Sequence, residues 1–292
     1  MMRLTLKQLN KMYGENHALK DFSYEFTEGV YGLLGPNGAG KSTLMNIITD
    51  NIKESSGEVL FDGINIKSLG KEFRRILGFM PQQQSLYGNY TLIRFMFYMA
   101  ALKGLGRREA REQIDRLLKL VNLADVRNKR LGSFSGGMKQ RVLIAQAMLG
   151  DPKVIILDEP TAGLDPKERI RIRNIVSEIA FQKIVIIATH VVSDIEFIAK
   201  EVLLIKKGQI VAAGSPYHLC DQISEKVFEI KTTREELANI GKTYKIGNIS
   251  RDEDNIYVRI TSDKSPGDFS CQKVKPTLED LYLHYFDEVV AI

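Results

Sequence analysis

An α/β fold with an antiparallel β subdomain, a helical insertion and a small C-terminal α+β extension is what the 292-residue sequence predicts. Three observations carry that expectation. The stretch Gly35-Pro-Asn-Gly-Ala-Gly-Lys41-Ser42-Thr43 stands between an apolar run and the start of a helix, which is a strand–loop–helix unit. Val154–Leu157 and Ile184–Ile187 are short, continuously apolar runs, the pattern of strands covered on both faces. Between those runs, Ile172, Ile175, Val176 and Ile179 recur at helical spacing.

Composition allows one large domain or two modest ones. Hydrophobic residues make up 44% and charged residues 26%, as in an ordinary globular protein. The net charge of +5 (41 basic against 36 acidic residues) is small for the length, and no aromatic-interleaved basic patch points to nucleic acid. Cys220 and Cys271 lack metal-ligand or redox spacing. The start, Met1-Met-Arg-Leu-Thr-Leu6, lacks the apolar core of a signal peptide. Leu92–Leu102 is too short to span a bilayer and contains Arg94. A cytosolic location is expected, with any membrane function supplied by another chain.

In chain order, residues 3–34 alternate apolar and polar positions, as in Phe22-Ser-Tyr-Glu-Phe26, and suggest antiparallel strands. Val30–Leu34 reads as a short buried strand and Thr43–Ile48 as a helix start. Val59–Ile66 adds a hairpin with Asp62-Gly63 at its turn. From about residue 84 the character changes: Ile114, Leu117, Leu118 and Val121 form one buried helical stripe, in a largely helical insertion extending to about 150. Asp165 is a candidate helix cap, with Pro166 at the first helical position and Glu168 closing a capping box. The pattern fades around 214–226, which sets the expected domains at 1–218 and 219–292. In the second, Val227–Lys231 and Ile256–Ile260 read as strands, and Thr277 caps a final helix with Asp280 at its third position.

The chemistry starts with the glycine-rich loop. Gly35, Gly40, Lys41 and Ser42 satisfy G-x-x-x-x-G-K-[ST]. Glycines let successive backbone N–H groups converge on phosphate oxygens. Lys41 supplies a point charge and Ser42 a hydroxyl for Mg²⁺. A glycine-rich turn without ligand is the alternative, and the flanking strand and helix speak against it. Asp158 and Glu159 end a buried strand, where sites lie in open α/β sheets; they are candidates for the Mg²⁺ shell and for polarising water, or else solvated turn residues.

At this point the chain resembles the nucleotide-binding subunits of ABC transporters. Phe134-Ser135-Gly136-Gly137-Met138-Lys139-Gln140-Arg141 is similar to that family's signature, with Phe134 where leucine is usual and Met138 where glutamine is frequent. Tyr13 resembles the adenine-stacking aromatic, with a core ring as its alternative. Gln82 resembles the glutamine that follows the first subdomain, although Pro81-Gln82-Gln83-Gln84 leaves the register open and an exposed polar turn is the alternative. Ala162-Gly-Leu-Asp165 resembles the segment after the catalytic acid, and His190 the switch histidine, which otherwise reads as a core histidine at a strand end. The resemblance spans roughly residues 3–215, about three quarters of the chain. The final Pro276-Thr277-Leu-Glu-Asp280 style of ending resembles ATPase subunits of ABC-2-type drug and peptide exporters.

The resemblance implies a P-loop NTPase core of ABC type that hydrolyses ATP with Mg²⁺. It assigns catalysis to Lys41, Gln82, Glu159 and His190, and the metal to Ser42, Gln82 and Asp158. Nucleotide contacts fall to Tyr13, Gly35, Pro36, Asn37, Gly38, Ala39, Gly40, Lys41, Ser42 and Thr43, and to Ser135, Gly136, Gly137 and Asp165. In related proteins Ser135 and Gly137 complete the site of a second copy, which implies a head-to-tail dimer around two ATP molecules. The implied partners are therefore a second copy or similar subunit and a separate multi-span permease, met on the inner face of the membrane. The aromatics Tyr87, Tyr90, Phe95, Phe97 and Tyr98 are candidates for docking that permease, or for filling the insertion's own core. An importer ATPase or a soluble non-transport ABC ATPase are the alternative functions.

Overall fold

The computed structural model of the chain describes residues 2–82, 86–252, 255–267 and 269–286. The chain begins with β1 (Leu4–Tyr13), β2 (Asn16–Phe26), β3 (Gly29–Leu34) and helix α1 (Lys41–Ile48). Next come β4 (Ser56–Phe61), β5 (Ile64–Asn65), α2 (Ile66–Leu69), α3 (Lys71–Ile76) and β6 (Leu77–Met80). Strands β2-β1-β4-β5 form an antiparallel sheet. Its Asp62-Gly63 turn has φ of 48° and 82°, the left-handed pair that a two-residue hairpin needs.

The insertion supplies α4 (Leu92–Leu102) and α5 (Arg107–Leu120), followed by α6 (Gly136–Ala147). Thr91 caps α4 by accepting the Arg94 N–H, and Ile114, Leu117, Leu118 and Val121 are all buried, as their spacing predicts. Then β7 (Val154–Asp158), α7 (Pro166–Ile179), β8 (Ile184–Ala188), β9 (Glu201–Lys206) and β10 (Gln209–Gly214) complete a six-stranded sheet of order β10-β9-β3-β8-β7-β6, parallel except for β10. Each strand at the centre of this sheet serves two cores. Val154 and Ile156 face the core shared with the antiparallel sheet, whereas Ile155 and Leu157 face the one shared with α4–α7; Ile184/Ile186 and Val185/Ile187 divide in the same way. Burial on both faces is why these runs are continuously apolar rather than alternating.

The start of α7 differs from expectation in one respect. Asp165 caps it by accepting the Glu168 N–H (3.0 Å), with Pro166 at the first position, but Glu168 does not close a capping box. Its carboxylate turns inward, 2.6 Å from Arg171 Nη1 and 3.3 Å from Arg141 Nε. Arg141 is buried on α6 and a buried cation requires a counter-charge, so that demand outweighs a cap bond worth about 1 kcal/mol.

The C-terminal part comprises α8 (Pro216–Asp221), β11 (Val227–Thr232), α9 (Arg234–Thr243), β12 (Lys245–Asp252), β13 (Asn255–Thr261), β14 (Cys271–Lys273) and α10 (Leu278–Tyr285). Its sheet, ordered β12-β13-β11-β14, has a small core of Phe228, Ile230, Ile240, Val258 and Ile260. Leu219, Ile223, Val227, Leu278, Leu281 and Phe286 instead join the larger core of the first part. Residue 218 lies inside α8. Among the described residues no helix is long and apolar enough to cross a membrane.

Candidate functional site

The loop Gly35–Gly40 joins the C-terminal end of β3 to the N-terminus of α1, whose unpaired amides and dipole attract anions. Gly40 has φ of 109°, and a Cβ there would lie 2.7 Å from the Ala18 carbonyl. The loop is braced from behind by the Gly208 N–H, which donates to the Ala39 carbonyl at 2.9 Å. Lys41 is buried, its Nζ donating to Gly35 O at 2.6 Å and Pro36 O at 3.1 Å. Burial lowers its pKa, and the charges of Glu159 and Asp158 pull the other way.

Two carboxylates converge from the end of β7. Asp158 and Glu159 are both buried, so they are not solvated turn residues. Burial, and then the neighbouring Glu159 charge, push Asp158 up to about 6 against the opposing pull of Lys41. Glu159 has φ of 51°, a left-handed conformation that costs a residue other than glycine about 1–3 kcal/mol and persists only where its surroundings enforce it. Here they do: its N–H donates to Ala188 O at 2.8 Å, and its carboxylate accepts from the His190 N–H (3.1 Å), His190 Nδ1 (2.8 Å) and the Thr189 hydroxyl (3.4 Å). An ionised carboxylate only accepts, so Nδ1 carries the proton and the ring's other nitrogen is left to solvent or ligand. The His190 side chain is 59% exposed, which excludes a core histidine.

The phosphate loop from Asn37 onward and the two carboxylates border one cleft of about 250 Å³, whereas Gly35, Pro36 and His190 lie behind or beside its lining residues. It is lined by Tyr13, Asn16, Ala18, the loop Asn37–Thr43, Gln82, Asp158 and Glu159. Tyr13 is 48% exposed, with Lys11 Nζ 5.0 Å from its ring, and is no core residue. Gln82 is exposed and reaches the cleft; Gln83 and Gln84, the other registers, lie outside the described residues. Ser42, Gln82 and Asp158 offer a hydroxyl, an amide and a carboxylate, an all-oxygen set that suits a hard divalent cation. Among the described residues no cluster of three or more His, Cys, Asp or Glu offers an alternative metal site. A cationic loop at a helix N-terminus beside a strand-end acid held by a histidine can bind a polyphosphate and orient water at its end.

Sequence reasoning missed Asn16 and Ala18, although both flank the turn after Tyr13 and the hairpin pattern would have placed them beside it. It also missed Thr189, Thr161 and Asp194. Thr189 Oγ1 accepts the Val191 N–H at 3.0 Å and the Thr161 hydroxyl donates to Asp194, which ties the segment after Glu159 to the segment after His190.

Ser135, Gly136, Gly137 and Asp165 do not line this cleft. They sit at two adjoining helix starts, where Ser135 caps α6 by accepting the Met138 N–H (3.3 Å) and Asp165 caps α7. A Cβ on Gly137 would lie 2.8 Å from Glu168 Cγ, so the two starts meet in close contact. Phe134 is buried, as a packing residue should be. On α4 and the preceding loop, Phe95 is buried, while Tyr87 and Tyr98 are exposed and pack edge to face at 5.7 Å. Tyr87 also stacks on Tyr90 at 5.2 Å.

Residues 19–162 match the family model described as "ABC transporter". The ABC transporter ATP-binding protein YxlF of Bacillus subtilis (strain 168) is 36% identical over 230 residues, 78% of this chain and 76% of that protein. The Nod factor export ATP-binding protein I of Burkholderia orbicola (strain AU 1054) is 30% identical over 247 residues, 82% of this chain and 81% of that one. Among solved structures, the dimeric ABC transporter cassette MJ0796 superposes with a TM-score of 0.65 at 30% identity, covering 73% of this chain and 98% of the cassette.

Proposed function

This chain belongs to the ABC transporter ATP-binding family as an ATP-hydrolysing subunit, and on that premise we propose that it is the ATPase of an exporter, dimerising around two ATP molecules and driving a separate multi-span permease. Binding starts with the loop Gly35–Gly40 and Lys41 on the phosphates, with Thr43 beside them and Tyr13 against the adenine. Stacking of that kind is worth about 1–3 kcal/mol per base. Ser42, Gln82 and Asp158 would hold Mg²⁺, which when bound neutralises charge on the phosphates.

Glu159 orients the attacking water and accepts its proton. His190 contacts the γ-phosphate through its exposed nitrogen, and donates there when the ring carries a proton on that nitrogen as well as on Nδ1. Phosphoryl transfer is mostly positioning and charge neutralisation, so the rigid Glu159–His190 pair matters more than either group's basicity. Ser135, Gly136, Gly137 and Asp165 stand outside the chain's own cleft, which supports their use on the ATP of a second copy in an isologous dimer. The exposed Tyr87 and Tyr98 are the surface offered to the permease, which would hold the chain at the inner face of the membrane.

The observation that carries this reading is the convergence of the phosphate loop, Asp158 and the His190-bound Glu159 on one cleft. For the direction of transport, support comes from the Pro276–Asp280 ending and from the relative named for Nod factor export. The test is gentle extraction of the tagged chain from its native membranes and identification of what co-purifies. A hydrophobic multi-span partner without a solute-binding protein is expected. A solute-binding protein in the complex would reverse the direction, and ribosomes or DNA-bound proteins without a membrane partner would overturn transport.

A further inference from the structure

Helix α10 is fastened at both ends by side chains of the nucleotide-binding part. At its start a capping box closes, with Thr277 Oγ1 accepting the Asp280 N–H (3.4 Å) and Asp280 Oδ2 accepting the Thr277 N–H (2.7 Å). That box leaves the Leu278 N–H over, and it donates to Glu196 Oε1 at 3.2 Å. At the other end Lys206 Nζ donates to the Tyr285 carbonyl at 2.7 Å. A carboxylate at the N-terminus and an ammonium at the C-terminus both complement the helix dipole.

Both clamps belong to the framework of the ATP site. Glu196 lies on the segment that starts at His190 and contains only a 3₁₀ turn, Val192–Asp194, against which α10 packs. A segment without strand ladders takes its position from such side-chain ties: Thr161 to Asp194, Arg173 Nη1 to Ser193 O at 2.8 Å, and Glu196 to α10. Lys206 ends β9, immediately before the Lys207-Gly208 turn whose Gly208 N–H supports the phosphate loop at Ala39. From the far side, Arg259 of β13 grips Asp280 of α10 with two hydrogen bonds of 2.8 and 2.7 Å. A cleft of about 390 Å³ is lined by Val192 on one side, by Gly247, Asn248 and Arg259 of the C-terminal sheet on the other, and by α10 between them.

We propose that Glu196 and Lys206 are positioning residues for ATP hydrolysis, which act through α10 to hold the His190 segment in register with the phosphate loop and so couple the C-terminal sheet to turnover. The proposal rests on the reading of His190 as a γ-phosphate contact.

The test is steady-state ATP hydrolysis by the full chain and six variants. Displacing a catalytic group by an ångström costs up to about a hundredfold, so Glu196→Ala and Lys206→Met should each lower kcat about tenfold. KM for ATP should stay within about twofold, because His190 supplies one contact to the γ-phosphate while the phosphate loop and Lys41 hold the rest of the triphosphate. Glu196→Gln keeps an oxygen acceptor and Lys206→Arg keeps a cation, and both should recover most of the rate. A Glu196→Ala/His190→Ala double variant should be no slower than His190→Ala alone, because the two act on one step. Full turnover in Glu196→Ala and Lys206→Met, an equal loss of nucleotide affinity, or strict additivity with His190→Ala would each overturn the proposal. If His190→Ala itself turns over at the wild-type rate, the reading of His190 fails and the proposal falls with it. That result is distinguishable from a slow His190→Ala beside a fast Glu196→Ala, which refutes the clamp alone.

Discussion

His190 donates from Nδ1 to Oε1 of Glu159 across 2.8 Å, joining the ends of two adjacent parallel strands, β7 and β8, at the lip of one cleft. The backbone N–H of His190 adds a second donor to the same oxygen at 3.1 Å. Glu159 is thus fixed in orientation although its backbone is held in an unfavourable conformation.

Glu159→Gln keeps the shape of the side chain and removes its capacity to take a proton. Turnover should fall about a hundredfold or more while ATP binding persists. The variant should accumulate as a dimer in size-exclusion chromatography with ATP. Near wild-type turnover would rule out the role given to Glu159.

Gly40 and Gly38 are both left-handed, at φ of 109° and 78°, but only Gly40 is crowded, with Ala18 O 2.7 Å from where a Cβ would stand. Gly38→Ala should therefore cost about 1 kcal/mol of conformational strain, and Gly40→Ala about 2–3 kcal/mol together with most of the ATP affinity. Thermal unfolding and nucleotide titration of the two variants separate the effects; equal costs would refute the steric argument.

The buried Arg141 pairs with the half-buried Glu168 beside Gly137. Removing Glu168 strands the buried Arg141 charge and should cost about 3–5 kcal/mol. Arg141→Met should cost less because Glu168 keeps Arg171, and the paired Arg141→Met/Glu168→Leu replacement should come within about 1 kcal/mol of the parent. Denaturant unfolding measures this. The pair also sets how the starts of α6 and α7 meet, so Glu168→Gln should weaken ATP-dependent dimerisation while sparing ATP binding by the monomer.

Asp280 links acid stability to the C-terminal part. Burial alone would raise its pKa, but the hydrogen bonds from Arg259 and from Thr277 outweigh it and hold the carboxyl below its ordinary value. A carboxylate depressed in the folded state stabilises above its unfolded pKa of about 3.9, and that contribution is lost as pH falls through the folded value. Unfolding monitored from pH 6 downward should show stability declining below about pH 4, with a shallower decline in Asp280→Asn. Arg259→Ala, which strands the buried carboxylate, should cost about 3 kcal/mol at neutral pH.

Tyr87 and Tyr98 present an exposed aromatic pair next to the buried Phe95. Glutamate at either position should abolish stimulation of ATP turnover by the permease and leave basal ATP binding intact. Equal loss of both would indicate a folding defect.

Much of the site was legible because its signals are local. The phosphate loop needs glycines and Lys41 within a few residues, and helical stripes and hairpin turns follow from spacing and backbone preference. The capping box of α10 and the burial of Ile114 through Val121 were readable for the same reason. Glu168 was misread as a capping-box residue because its true partner, Arg141, lies on another helix. The registers at Gln83 and Gln84 fall outside the described residues.

By itself the sequence determined the nucleotide-binding chemistry, the layered α/β order and the existence of a separate C-terminal sheet, since each is set by short-range pattern. Only the tertiary structure decided that Thr189 and His190 hold Glu159, that Gly208 supports Ala39, and that Glu196 and Lys206 grip α10. The last two contacts join residues 82 and 79 positions apart. Such pairings leave no periodicity in the chain: they arise when burial of apolar faces brings distant elements together, and each polar group then takes the partner that the packing puts within reach.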